Sequence, residues 1–127
     1  MVIDAKENIL RAICSDKYDG VRMSPSLFTG KGTSVSRLEL ISLEDHWDIF
    51  RTNVQKPPER LLKLIGEINV GNLQKLGRDY KVPIELTVEA VPVDWNLAHA
   101  EIPQTISRGL ANKILPELVI HEPPATK

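Results

Sequence analysis

Between Arg22 and Arg37 the chain gathers side chains that hold anions: Arg22, Ser24 and Ser26 stand before the turn "GKGTS", and Thr33, Ser34, Ser36 and Arg37 in and after it. Guanidiniums and hydroxyls bind phosphate or carboxylate through charge-assisted hydrogen bonds, and the planar arginine fork suits two oxygens at once. If the two segments pair as antiparallel strands, alternate residues share a face. Arg22, Ser24 and Ser26 then form one row, and Ser34 and Ser36 another. Arg37 falls on the opposite face of a regular strand, so either it or Ser36 is structural unless a bulge intervenes. The competing reading is a Ser- and Thr-rich hairpin whose arginines lie over apolar neighbours.

His99, in "NLAHAEI", completes the candidate set of Arg22, Ser24, Ser34, Ser36, Arg37 and His99. Its neighbours are small, so backbone or ligand can approach closely, and Glu101 shares its face if the segment is extended. A carboxylate there would hold the imidazole in one tautomer and raise its proton affinity, as a general base or anion-binding His requires. The residue reads first as packing, hydrogen-bonded to a backbone carbonyl, and second as the edge of the anion site.

Other chemistry has weak support. His46, His99 and His121 lack metal-ligand spacing, and His46 is expected to project toward solvent from a helix. Cys14 reads as a small buried hydrophobe, with nothing nearby in sequence to lower its pKa. No Walker loop, dinucleotide fingerprint or nucleophile elbow is present, so neither cofactor nor metal is expected.

The elements that must position these residues follow from periodicity. Ala5, Ile9, Ala12 and Ile13 suggest a short helix over 5–14 with Asp4 as N-cap, although "NILRAI" also suits an edge strand. Residues 20–40 read as strand, loop, strand. Ser42 is a natural N-cap for a helix with Leu43, Trp47, Phe50 and Val54 on one face, ended by Pro57 and Pro58. "RLLKLIGEINV" fits strand or helix, with Gly66 and the β-branched end favouring strand. Asn72 would cap a short helix carrying Leu73, Leu76 and Tyr80. In "PIELTVEAVPV", Ile84, Leu86, Val88 and Ala90 alternate with Glu85, Thr87 and Glu89, which predicts a strand with one buried face. Ile106, Leu110 and Ile114 mark a last helix between Pro103 and Pro116.

The expected architecture is α+β, a small mixed or antiparallel sheet packed against two to four short helices. It forms one globular domain over 1–118, with an extended C-terminal tail over 119–127. Its 127 residues are 42% hydrophobic and 26% charged, a globular composition. Sixteen basic residues against 17 acidic ones give a net charge of -1, so no general field draws nucleic acid or membrane, and an anion site must be local. One cysteine, no signal-like apolar run and no membrane-length stretch predict a soluble cytoplasmic protein.

Two functions of different class fit. One is a binding or adaptor module, an accessory subunit recognising a protein partner or a small anionic ligand. The other is an enzyme acting on a nucleotide or dinucleotide. An Arg on one strand, the hydroxyl-rich "TSVS" on the next and Glu85 or Glu89 on a later one loosely resemble the Arg, Ser-Thr-Ser and Glu order of ADP-ribosyltransferases. The resemblance implies that the Arg holds a phosphate of NAD, the hydroxyls shape the nicotinamide pocket and the Glu stabilises an oxocarbenium ion. It covers three short segments and departs from that family in having no Glu-x-Glu or Gln-x-Glu pair.

Overall fold

The computed structural model describes residues 1–124. It is an α+β domain built on a six-stranded sheet in which every pairing is antiparallel. In chain order the elements are β1 (Asn8–Cys14), β2 (Thr33–Arg37), α1 (Leu43–Asn53), β3 (Leu62–Asn69), α2 (Val70–Asp79), β4 (Glu89–Ala90), β5 (His99–Ile102), α3 (Arg108–Ile114) and β6 (Val119–His121). The spatial order is β4-β5-β2-β1-β3-β6.

The expected helix over 5–14 is instead β1, and it lies inside the sheet between β2 and β3, not at its edge. Its apolar residues serve both faces. Ile9 and Ile13 enter the larger core with residues of α2 and α3, whereas Leu10 and Ala12 meet Trp47 and Phe50 of α1 on the other side. A strand covered on both faces loses the alternation that would distinguish it from a helix. Asp4 caps only a turn, accepting from the Lys6 amide at 2.7 Å.

The first half of the expected strand pair over 20–40 is also absent. Residues 19–32 form a loop containing one 3-10 turn, Pro25–Leu27, which drives Leu27 and Phe28 into the core. Ser24 caps that turn, and β2 pairs with β1 and β5.

Helix α1 follows its sequence signals. Ser42 Oγ accepts from the Asp45 amide at 3.1 Å, and Trp47 and Phe50 are buried. The ambiguous segment 60–70 is strand β3 up to Asn69, and the cap of α2 lies three residues before the expected one. Asn69, not Asn72, supplies the capping oxygen, which accepts from the Asn72 amide at 3.0 Å.

The alternation over 84–90 orients side chains without making a full strand. Leu86 and Val88 are fully buried, Ile84 and Ala90 pack on the same core, and Glu85 is exposed. Only Glu89–Ala90 joins the sheet. Upstream, the backbone is satisfied by other partners: the Ile3 amide donates to the Val88 carbonyl, Gln74 Nε2 to the Leu86 carbonyl, and the Thr87 amide to Gln104 Oε1. Gly77 explains how α2 reaches this segment, since a Cβ there would lie 2.7 Å from the Ile84 carbonyl oxygen.

The last helix starts after its cap Ser107 and buries Leu110 and Ile114. The first three residues of the segment set off as a tail are paired as β6 along β3, where His121 Nε2 lies 2.7 Å from Glu67 Oε1. The end of that tail, residues 125–127, lies outside the described residues.

Candidate functional site

Strands β1 and β2 pair only at Ile9 with Arg37 and Leu10 with Ser36. Continuing that register would set Ala12 against Ser34, but the strands part, and the Ser34 carbonyl loses its ladder partner. The Arg11 guanidinium fills the gap: Nη1 donates to the Ser34 carbonyl at 3.2 Å and Nε to the Leu27 carbonyl at 3.0 Å. A charged side chain thus does the work of the missing backbone bonds, and the divergence opens a cleft of about 250 Å³ beside it.

The cleft floor is Leu10 and Ala12 of β1 with Phe50 of α1. The end of α1 contributes Asn53, and Ser34 offers its exposed hydroxyl from β2. Arg60 closes one side: its Nη2 donates to the Val54 carbonyl at 2.8 Å, while its Nε is buried with no hydrogen-bond partner among the described residues. A buried donor left unmade is costly, by about 1–3 kcal/mol. Burial lowers the Arg11 pKa from its ordinary value; the Arg60 charge adds to that effect, and Cys14 and Asp16 oppose it. No carboxylate lines the cleft among the described residues.

The opposite rim is the segment 91–98. The backbones of Val93 and Asn96 bond to each other in both directions, which closes a tight turn with Asp94 and Trp95 at its tip. His99 follows at the start of β5. Its Nδ1 lies 2.8 Å from the Val91 carbonyl. Because a carbonyl only accepts, Nδ1 carries the hydrogen and Nε2 is left as the ring's acceptor. The expectation of a backbone-bonded, orienting histidine describes this geometry, and His99 also lines the cleft.

A buried chain of side chains fixes the rim. Asn96 Nδ2 donates to Ser36 Oγ at 3.0 Å, and Ser36 Oγ lies 2.6 Å from His46 Nε2. His46 Nδ1 faces the Ser42 carbonyl at 2.9 Å and must donate to it, so Ser36 donates to Nε2. His46 is therefore fully buried and not solvent-facing, because the sheet face beneath α1 carries a serine that needs an acceptor. The pair has the form of a nucleophile and its base, but Ser36 is 1% exposed and fully bonded, so its role is to tie the rim to α1.

Burial lowers the His46 pKa, against smaller opposing effects of the Ser42 and Ile41 backbone and of Asp45. The unfolded chain, with the ordinary imidazole pKa of about 6.5, then binds the proton more readily. The stability that neutral His46 contributes is complete above that pH and is lost as pH falls through the folded-state value. The difference in unfolding free energy between the parent and His46→Gln should therefore narrow on acidification. Its slope should be at most about 1.4 kcal/mol per pH unit. Denaturation curves for the two proteins that fall in parallel between about pH 7.5 and pH 5 would overturn this assignment of the tautomer and burial.

Of the six residues singled out in sequence, Ser34 and His99 line the cleft; the others do not. Arg22 is exposed in the loop, where Asp19 Oδ1 accepts from its amide at 2.7 Å. Ser24 Oγ bonds Ser26 Oγ at 2.7 Å and caps the 3-10 turn. Ser36 is taken by His46 and Asn96. Arg37 forms a two-pronged pair with Glu7, Nε to Oε1 at 2.9 Å and Nη2 to Oε2 at 2.7 Å, and that hydrogen bonding raises its pKa. The carboxylates suggested by the ADP-ribosyltransferase resemblance lie elsewhere. Glu85 is exposed near Arg78, and Glu89 accepts from Thr87 on the outer strand β4. Arg11, Arg60, Asn53 and Trp95 were missed. The available signals were an arginine inside the apolar run "NILRAIC" and a tryptophan flanked by turn-forming Asp and Asn.

A larger hollow of about 650 Å³ lies around Tyr80 and Gly109 between α2 and α3. Its acid, Asp79, is already paired with Lys75 at 2.7 Å, and Lys81 and Lys113 are exposed, so it has no convergent set of fixed donors. Among the described residues no cluster of His, Cys, Asp and Glu could hold a metal ion, and no helix is long and apolar enough to cross a membrane. Comparison with protein-family models, with curated proteins and with solved structures finds no match in any of the three.

Proposed function

We propose that the protein is a binding module that holds a small anionic ligand in the cleft where β1 and β2 part. The observation that carries this reading is the pair of guanidinium side chains, Arg11 and Arg60, that line one cleft with no lining carboxylate among the described residues. An anion there would meet two guanidiniums at once through charge-assisted hydrogen bonds. In a chain of net charge -1, this is a local field and not a general one.

Inorganic phosphate and pyrophosphate are suitable first probes in a thermal-unfolding assay. A ligand present at about 100 times its Kd stabilises the folded state by about 2.7 kcal/mol, so the parent midpoint should rise by several degrees. Arg60→Ala should lose that rise and Arg22→Ala should keep it. Arg11 is a poorer choice for substitution, because its loss would also free the Ser34 and Leu27 carbonyls. A rise of equal size in Arg60→Ala, or no rise in the parent at millimolar phosphate or pyrophosphate, would overturn the reading.

A further inference from the structure

We infer that the anion is the phosphate of a nucleotide, held between Arg11 and Arg60, with the base lying against Trp95 at the mouth of the cleft. This rests on the anion-binding reading above and assigns the rest of the ligand. Trp95 is 43% exposed at the tip of its turn, whereas Trp47, the other tryptophan, is 3% exposed in the core. The indole that stands open at this turn tip is held in place. The turn is closed by paired backbone bonds, Asn96 beside it is buried and tied to Ser36, and the His99 ring sits 6.1 Å away at 60°. A fixed aromatic face beside an anion site is what stacks a heteroaromatic ring.

The space between the two ends fits the rest of such a molecule. At about 250 Å³ the cleft falls below the roughly 300–1,000 Å³ of pockets that enclose a whole drug-sized ligand. It therefore takes the phosphate and sugar, and the ring rests at the mouth. Asn53 and the Ser34 hydroxyl, both exposed along its wall, offer donors and acceptors to sugar hydroxyls. A sugar phosphate without a base would leave Trp95 uncovered.

The test is titration of the full chain with AMP, GMP, CMP and UMP, and separately with ribose phosphate and inorganic phosphate, followed by tryptophan fluorescence and calorimetry. At least one nucleotide should bind about fivefold or more tighter than ribose phosphate, the low end of what base–aromatic stacking contributes. It should also change the fluorescence of the parent but not of Trp95→Phe, in which only buried Trp47 reports. Trp95→Ala should remove the advantage over ribose phosphate and leave inorganic phosphate affinity unchanged. If no nucleotide binds tighter than ribose phosphate, or if Trp95→Ala keeps the advantage, the nucleotide assignment falls while Arg60-dependent phosphate binding leaves the anion site standing. If inorganic phosphate, ribose phosphate and nucleotides all fail to bind, both fall together.

Discussion

Trp47→Ala should lower the free energy of unfolding by about 3–5 kcal/mol, the range for large aromatic truncations in a core. Trp47 is buried with Leu10, Ala12, Phe50 and Ile65 in the smaller of the two cores, and Arg51 lies over its ring at 5.4 Å. That core joins α1 to the sheet. Against the total stability of a domain, about 5–15 kcal/mol, the loss is a large fraction. It should reach the cleft as well, because α1 supplies Phe50 and Asn53, and its C-cap Val54, to the lining and His46 to the rim anchor. Trp47→Phe should recover most of the loss. A chemical-denaturation midpoint for Trp47→Ala equal to that of the parent would show that α1 is not held in this way.

Breaking the Glu7–Arg37 pair from one side should have an effect of similar size. The two side chains are 8% and 11% exposed and meet through two parallel hydrogen bonds. Removing one charge from a buried pair typically costs about 3–5 kcal/mol, because the other is left uncompensated. Replacing both by apolar residues of similar volume is often neutral. Glu7→Leu alone and Arg37→Met alone should thus each be strongly destabilised, and the double variant should return close to the parent. Equal and additive losses in the double variant would mean that the pair is solvated and contributes little, as exposed pairs do.

These two predictions differ in how far they could be read ahead. The Trp47 face of α1 was legible because cap, acidic first turn and apolar spacing all lie within a dozen residues and point the same way. The inward face of 84–90 was legible for the same local reason, although its ladder was not: whether an extended segment finds a sheet partner or a Gln side chain depends on distant chain. The cleft was mostly illegible. Arg11 and Arg60 are brought near one another only by the pairing of β1 with β3, where Ala12 faces Ile65. The parting of β1 from β2 leaves no local trace beyond an arginine in an apolar run. The hydroxyl row of "TSVS" did point to β2, but its two serines serve different ends because one meets a buried histidine that the helix pattern alone sent to solvent.

The position of β1 also bears on how the chain reaches its native state. The sheet is centred on the first strand and completed outward by the last, so Asn8 must find Asn69 across 61 positions before the core exists. Pairings of such separation make for high contact order, and domains dominated by them fold over milliseconds to seconds, not microseconds. During that interval the outer edge of β3 waits for Val119–His121. An uncovered apolar strand edge is a template for pairing with another chain. Refolding yield should therefore depend on concentration through this edge, far from the cleft and independent of anything the cleft binds.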